Sequence, residues 1–317
     1  MLNEILASLQ VLSLPTRTNF RSVTKREVAL FKGPNGWGEF SPFLEYESAE
    51  AAYWLASGIE AAFDDQIKLQ REEIEINATL PAVDSKLDIA EILSWYPGAK
   101  IVKIKVGGDL ELDIARIKNT LAINPNYLIR LDVNGGWSVS EAENAVSRII
   151  DEVGIDSIQY IEQPVSTLEE LRQLKLPIPI VGDEVIRKAP DPFAIDLNGA
   201  VDIVMLKVAP LGGIKRAMQI AAHHKLPVVV SSALESAVGI SHGLKLAAAL
   251  PELNYACCLA TGRLLANDVA HLPITKGTMR VSNVSPEGLL NYQAAPERRA
   301  WWENRIRDSF EVWQARN

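Results

Sequence analysis

Cysteine, histidine and long apolar runs are all scarce in this chain of 317 residues, and each scarcity excludes a class of function. The only cysteines, Cys257 and Cys258, are adjacent. Adjacency makes a disulfide between them sterically awkward and gives no metal-ligand spacing, so two buried reduced thiols are expected. The four histidines are His223, His224, His242 and His271, and solvated or capping roles are expected for all of them. No uninterrupted apolar run approaches the ~18 residues of a membrane span. The opening MLNEILASLQVLSLPTRTNF has neither a basic start nor a continuous apolar stretch with a small-residue cleavage site. A cytoplasmic protein is therefore expected, with no membrane partner. Lysine and arginine number 32 against 40 acidic residues, for a net charge of -8 without any basic cluster. That balance argues against a nucleic-acid surface and requires a pocket for an anionic substrate to be positive locally.

What is present is enough apolar sequence, 48% of the residues, for a large core. The organisation changes near residue 75. Before it, EVALFK and GWGEF flank Gly33, Pro34, Asn35 and Gly36, the pattern of two antiparallel strands around a tight turn. An alanine-rich helix follows, over about 47–64. After residue 75 come eight short runs rich in β-branched residues: INATL, KIVKIKV, LIRLDV, IQYIEQ, IPIVGDE, VDIVMLKV, PVVVSSA and ACCLATG. Each but the last is followed by helical sequence. Continuous apolar runs alternating with helices indicate a parallel sheet covered on both faces, and eight of them indicate an α/β fold of (β/α)8-type barrel. Ser138 with Glu141 and Thr167 with Glu170 have capping-box spacing after two of the runs. The tail beyond about Pro273, with Trp301, Trp302 and Trp313, exceeds what closes a barrel. The expected division is an α+β capping domain of 1–74 with 274–317 and a barrel of 75–273.

Three acids, Asp132, Glu162 and Asp183, end successive runs, so their carboxylates should converge on the rim where barrel chemistry sits. One acid ending a strand serves as readily as a helix cap; three in succession suit a hard cation such as Mg2+, with Mn2+ as a substitute. Lys103 and Lys105 lie two apart on one strand and share a face, and Lys207 ends another run. An inward lysine can simply pair with a buried carboxylate. It can also serve as a base, if neighbouring positive charge lowers its pKa well below the ~10.4 of free lysine. Arg130 and Asn134 alternate with Asp132, so the arginine can take a substrate carboxylate or neutralise the acidic cluster.

KIKVG, RLDVNGGWS, YIEQPV, the GDE of IVGDE and MLKVAPLGGI together resemble the enolase superfamily, in its muconate-lactonizing-like branch. The resemblance covers most of the barrel, and GWGEFSPF resembles the family's capping domain. It implies that Asp132, Glu162 and Asp183 hold Mg2+, that Lys105 moves the proton, and that Lys207 stands on the opposite face. Within that branch GWGEFSPFLEYE, the arginine of RLDVNGGW and VVSSALESAVGI resemble the members that dehydrate 2-succinyl-6-hydroxy-2,4-cyclohexadiene-1-carboxylate on the way to menaquinone or phylloquinone. That likeness implies a lyase whose Lys105 acts as base and then as acid.

The substrate is then a small carboxylate. Its contacts are expected from Lys103, Arg130, Asn134, Ser232 and Ser236, the two serines lying where a helix start can receive a carboxylate or merely be capped. Glu184 should point to the other side of its strand, and Thr16, Arg17 and Phe20 fall in an expected mobile cap loop. Two rivals remain. One is an N-acylamino acid racemase or dipeptide epimerase, in which Lys105 and Lys207 work on opposite faces. The other is a non-catalytic barrel that binds a metal or an anion.

Overall fold

The computed structural model describes residues 1–20, 23–65 and 67–316. The N-terminal part runs α1 (Leu2–Ser8), β1 (Gln10–Phe20), β2 (Val23–Gly33), β3 (Gly36–Phe40) and α2 (Ser48–Phe63). Its strands form one antiparallel sheet in the order β1-β2-β3, and Gly33 pairs with Gly36 across the turn. Helix α2 approaches β3 so closely that a methyl group on Gly38 would lie 2.2 Å from the carbonyl oxygen of Gly58. Only glycine fits there.

The chain continues through β4 (Glu73–Glu75), β5 (Ala78–Leu80), α3 (Lys86–Ser94), β6 (Ile101–Lys105), α4 (Leu110–Ile123), β7 (Leu128–Asp132), α5 (Val139–Val153) and β8 (Ile158–Glu162). It then runs through α6 (Leu168–Gln173), β9 (Ile180–Gly182), α7 (Glu184–Arg187), β10 (Ile203–Lys207), α8 (Ile214–His224), β11 (Val228–Ser231) and α9 (Ala237–Ala249). Finally come β12 (Ile274–Thr275), β13 (Thr278–Arg280) and α10 (Pro296–Arg316). Strands β5 to β11 form a parallel sheet in chain order. The eighth run, ACCLATG, closes the ring with two isolated bridges instead of a full strand: Cys258 pairs with Ser231 and Cys257 with Ile76. The Cys258 N–H donates to Val230 at 2.9 Å and the Cys257 N–H to Glu75 at 2.7 Å. A short 3-10 turn at Thr261–Leu264 follows, where a barrel would place its eighth helix. Both thiols are free and buried.

Side chains alternate across the sheet, as a period of two requires. Val102, Ile104, Ile129, Leu131, Ile161, Val204, Leu206 and Val230 face outward into the core beneath the helices. Tyr160, Val181, Ile203, Met205 and Val229 pack together inside. Every run reads as apolar because both faces are covered, and polarity is admitted only on the inward side. The helices begin where their side chains can satisfy the first free N–H groups: Ser138 with Glu141 and Thr167 with Glu170 form complete capping boxes on α5 and α6.

Strands β12 and β13 do not join the N-terminal sheet. Strand β12 pairs antiparallel with β13, and β13 with β4, Met279 opposite Ile74, beside the N-terminal end of the barrel. Helix α10 packs elsewhere, on the cap: Trp302, Ile306 and Phe310 share a buried cluster with Phe31, Phe40, Trp54 and Leu55. Two other expectations change. His242 is neither solvated nor a cap; it is buried with Nε2 3.1 Å from Glu60 Oε1, whose carboxylate accepts the first N–H groups of α8. Thr16 and Arg17 belong to β1, where Arg17 Nε donates to the Leu265 carbonyl at 3.1 Å, and Phe20 has its side chain outside the described residues. Among the described residues no helix is long and apolar enough to cross a membrane.

Trp302 is fully buried, meets Phe40 edge to face at 5.7 Å and donates from Nε1 to Glu27 at 2.9 Å. Trp302→Ala should lower stability by roughly 3–5 kcal/mol in denaturant unfolding; an unchanged midpoint would show that α10 is not part of the cap's core.

Candidate active site

Position along each strand decides which inward residue reaches the rim. Lys105 and Asp132 are register partners on β6 and β7, and Asp132 and Glu162 are partners on β7 and β8. Asp183 follows the end of β9 and starts α7. Lys207 ends β10. All three carboxylates are buried, with exposures of 0% for Asp132, 0% for Glu162 and 1% for Asp183. The structure thus brings the predicted acids and lysines to one end of the barrel.

The ammonium groups lie between the acids. Lys103 Nζ is 2.8 Å from Asp132 Oδ2 and 2.9 Å from Glu162 Oε2. Lys105 donates to Asp132 Oδ2 and, at 2.6 Å, to Asn134 Oδ1. Lys207 Nζ lies 2.5 Å from Asp183 Oδ2. Burial raises the Glu162 carboxyl above its ordinary pKa, and Asp132 adds to this, against the pull of Lys103 and Lys207. Burial alone would lower Lys103, but Asp132 and Glu162 outweigh it and hold its ammonium well above the usual lysine value. Lys103 is therefore a fixed counter-charge.

Of the expected substrate contacts, the structure reassigns several. Arg130 does not reach the rim. Its guanidinium is fully buried one layer lower, where Nη1 donates to Asn77 Oδ1 at 2.9 Å and the Ala256 carbonyl at 2.7 Å, and Nε to Gln159 at 2.7 Å. It also lies over the Tyr160 ring at 4.6 Å, so the barrel floor takes it up instead of a substrate carboxylate. Asn134, in a left-handed conformation with φ 56°, holds Lys105. Ser236 is also buried and engaged within the protein: its Oγ donates to Glu39 Oε2 at 2.6 Å and accepts the Val238 N–H. The Glu39 carboxylate takes the helix-start amides of Ser236 and Gly239 that a substrate would have needed. Ser232 does line the cavity, although its Oγ bonds the Cys258 carbonyl at 2.8 Å and Thr261 Oγ1 at 2.7 Å. Glu184 does not turn away on a strand; it starts α7 and meets Asn134 Nδ2 at 3.3 Å.

Sequence reasoning missed Arg187, Tyr46 and Gln163. Arg187 Nε reaches Asp183 Oδ1 at 3.1 Å and Nη2 reaches Glu184 at 2.7 Å, while Nη1 donates to the Tyr46 hydroxyl at 2.9 Å. Its separation of four from Asp183 in a helical turn was the available signal. Gln163 Oε1 accepts the N–H groups of Asp183 and Val185, which sets the backbone that carries the third acid. Nothing local in the sequence announces either Tyr46 or Gln163.

The rim encloses a cavity of about 20 Å3 lined by Phe43, Thr79, Lys103, Lys105, Lys207 and the Ser232–Leu234 loop. A larger one of about 500 Å3 lies behind the eighth run, beside Arg17, Arg263 and Asp268, and none of the three lysines lines it. The lysines, each paired with one of the acids, mark the smaller as the candidate site. Hard oxygen donors from three successive strand ends fit a divalent cation, which oxygen ligands suit better than nitrogen or sulfur ones. Among the described residues no three His, Cys, Asp or Glu side chains form a metal-holding group, and each of the three acids contacts a lysine or arginine.

The family described as enolase C-terminal domain-like matches residues 89–286, and that described as enolase N-terminal domain-like matches residues 11–62. An o-succinylbenzoate synthase of Mycobacterium ulcerans is 45% identical, covering 100% of this chain and 97% of its own. One of Mycobacterium tuberculosis strain H37Rv is also 45% identical, over 98% of this chain and 96% of its own. Among solved structures, muconate lactonizing enzyme from Pseudomonas fluorescens in complex with muconolactone aligns with a TM-score of 0.73 at 22% identity, covering 93% of this chain and 97% of its own. The Pseudomonas putida enzyme aligns with a TM-score of 0.72 at 21% identity, covering 90% and 98%. The two structures share the fold.

Two acids at the start of α9, the buried Glu235 and the partly buried Asp268, respond to pH. Burial, then the charge of Glu39, pushes the Glu235 carboxyl up to about 7, and burial pushes Asp268 up to about 7. Unfolded, both would titrate near ~4, so between ~4 and ~7 the folded chain binds more protons than the unfolded one. Their contribution is complete below that window and is lost as pH rises through about 7. Melting temperature should therefore fall between about pH 5.5 and 8, and Glu235→Gln should flatten the slope. A melting temperature that climbs over that range would contradict the protonation assigned to these acids.

Proposed function

The chain belongs to the enolase superfamily, and from that premise we propose that it dehydrates 2-succinyl-6-hydroxy-2,4-cyclohexadiene-1-carboxylate to 2-succinylbenzoate, a step of menaquinone or phylloquinone biosynthesis. The observation that carries the reading is the placement of Lys105 and Lys207 on strands β6 and β10, with the three acid-bearing strand ends between them in the sheet. Full-length relatives at 45% identity bear the name of that activity. Enzymes of this superfamily pair a lysine or histidine base with Mg2+. Asp132, Glu162 and Asp183 would hold the cation, with Mn2+ as a substitute. When bound, it supplies the positive charge that acidifies the C–H bond beside a substrate carboxylate.

The chain's own groups do the rest. Lys105 Nζ takes that proton, and the electrons of the broken C–H bond spread toward the carboxylate. Lys207, as an ammonium, faces the charge that develops there. Lys105 then gives its proton to the departing hydroxyl. The C–O bond breaks with both its electrons, water leaves, and the ring becomes aromatic. Lys103 remains an ammonium throughout, holding Asp132 and Glu162 in place. Asn134 accepts from Lys105 and so fixes the direction of its amine. A reducing cytoplasm is the location in this reading, which the two buried free thiols suit.

The near-symmetry of two lysines favours one second reading, racemisation of an N-acylamino acid or a dipeptide. That reaction needs both amines to exchange protons, whereas dehydration needs only Lys105.

Purified protein with Mg2+ should convert the cyclohexadiene acid, followed by loss of diene absorbance. Lys105→Ala should cut turnover by about 10²–10⁴-fold while magnesium binding persists. Full activity in that variant would mean the base is another group. Asp132→Ala, Glu162→Ala and Asp183→Ala should each remove metal-dependent turnover, and Lys207→Arg should retain part of the dehydration. Complete loss in Lys207→Arg, together with α-deuterium exchange into N-succinylamino acids by the wild type, would favour racemisation. Turnover with no exchange would exclude it.

A further inference from the structure

The cap carries two buried charged residues that no step above uses, Arg26 on β2 at 3% exposure and Glu39 on β3 at 6%. Both reach across to the loop that follows β11. Arg26 donates from Nε to the Leu234 carbonyl at 3.0 Å and from Nη2 to the Ala233 carbonyl at 3.5 Å, as well as to the carbonyl of Ser41 in the cap. Glu39 Oε1 accepts from the Ser236 N–H at 3.2 Å and from Ser41 Oγ at 2.6 Å. Its Oε2 accepts from Ser236 Oγ at 2.6 Å and from the Gly239 N–H at 2.9 Å. A methyl group on Gly239 would come within 2.6 Å of the Glu235 side chain and 3.0 Å of that oxygen, so the helix start leaves room for both acids only because this residue is glycine. One cap residue thus binds the loop's carbonyls and the other binds the amides just beyond it.

The loop they grip is a wall of the catalytic cavity. Ser232, Ala233 and Leu234 line it beside Lys103, Lys105 and Lys207. Phe43, another lining residue, lies under the Arg26 guanidinium at 4.5 Å. Leu234 holds φ at 62°, a left-handed conformation that leucine keeps only when its surroundings impose it. Its side chain is buried with Leu12, Leu14, Val28 and Leu30 of the cap.

We propose that Arg26 and Glu39 are positioning residues, a clamp by which the cap fixes the Ser232–Leu234 wall and so sets how tightly substrate is held. The kinetic readout rests on the dehydration reading; the backbone readout does not. A wall that touches substrate away from the reacting bond affects ground state and transition state alike, so its loss appears in KM.

Glu39→Gln keeps the shape and turns one acceptor into a donor. It should raise KM about tenfold with kcat changed less than about threefold. Amide exchange at 233–235 should quicken about tenfold, with magnesium affinity by calorimetry unchanged. Leu234→Gly relieves the backbone, so the double variant should lose less than the product of the two single losses. If Glu39→Gln does not fold, Arg26→Lys, which keeps the charge but not the two-carbonyl reach, is measured in the same way. A folded variant with unchanged KM and unchanged exchange overturns the proposal, and so does a parallel loss of kcat and magnesium affinity. A wild type inactive on the cyclohexadiene acid sinks the dehydration reading alone, because exchange at 233–235 still judges the clamp.

Discussion

Burying three carboxylates at one end of a barrel is tolerable only if their charge is matched at close range, and that requirement organises the molecule. Asp132, Glu162 and Asp183 are each in contact with a lysine or arginine at no more than 3.1 Å. Removing one member of such a buried pair typically costs 3–5 kcal/mol, because the partner is left uncompensated in a poor dielectric. The rim therefore holds nearly balanced charge in very little space. Asp132, Glu162 and Asp183 would hold a divalent cation here, and its charge would supply the compensation that the lysine and arginine side chains now provide.

The same constraint explains the second layer of residues. Arg130 sits below the acids, where Asn77, Gln159 and the Ala256 carbonyl hold its Nε and Nη1 and make it part of the barrel floor. Gln163 fixes the backbone of Asp183 and Val185, and Arg187 ties Asp183 to Tyr46 of the cap. The cap enters the site twice more, through Arg26 and Glu39. It is joined to the barrel by buried polar groups as well as by the apolar cluster around Leu12, Leu30 and Leu234. Polar contacts specify one alignment, which apolar packing alone does not.

Six positions of the candidate site were legible because their information is local. Lys103, Lys105, Asp132, Glu162, Asp183 and Lys207 end apolar runs or alternate within them, and a period of two fixes their face. Arg130 obeys the same period, and its face was read correctly. Its height was not, since a long side chain can point up or down the barrel and only its partners decide. Ser236 looked like an anion receptor for a similar reason. Its helix start does bind a carboxylate, but one supplied from 197 residues away by Glu39. The eighth strand is reduced to two bridges, with Ile76 and Ser231, although ACCLATG has the composition of a strand; pairing with partners 181 and 27 residues away is not a local property.

The sequence by itself determined the alternation of runs and helices, the capping boxes of α5 and α6, and the identity of the acids and amines facing inward. Each of these depends on neighbours a few residues apart, where backbone geometry leaves little choice. Tertiary structure alone decided which inward side chain meets which, where the tail packs, and that a leucine at residue 234 is held left-handed beneath the cap. Those outcomes join groups as far apart as Arg26 and Leu234, separated by 208 residues, and no local propensity encodes a contact of that kind.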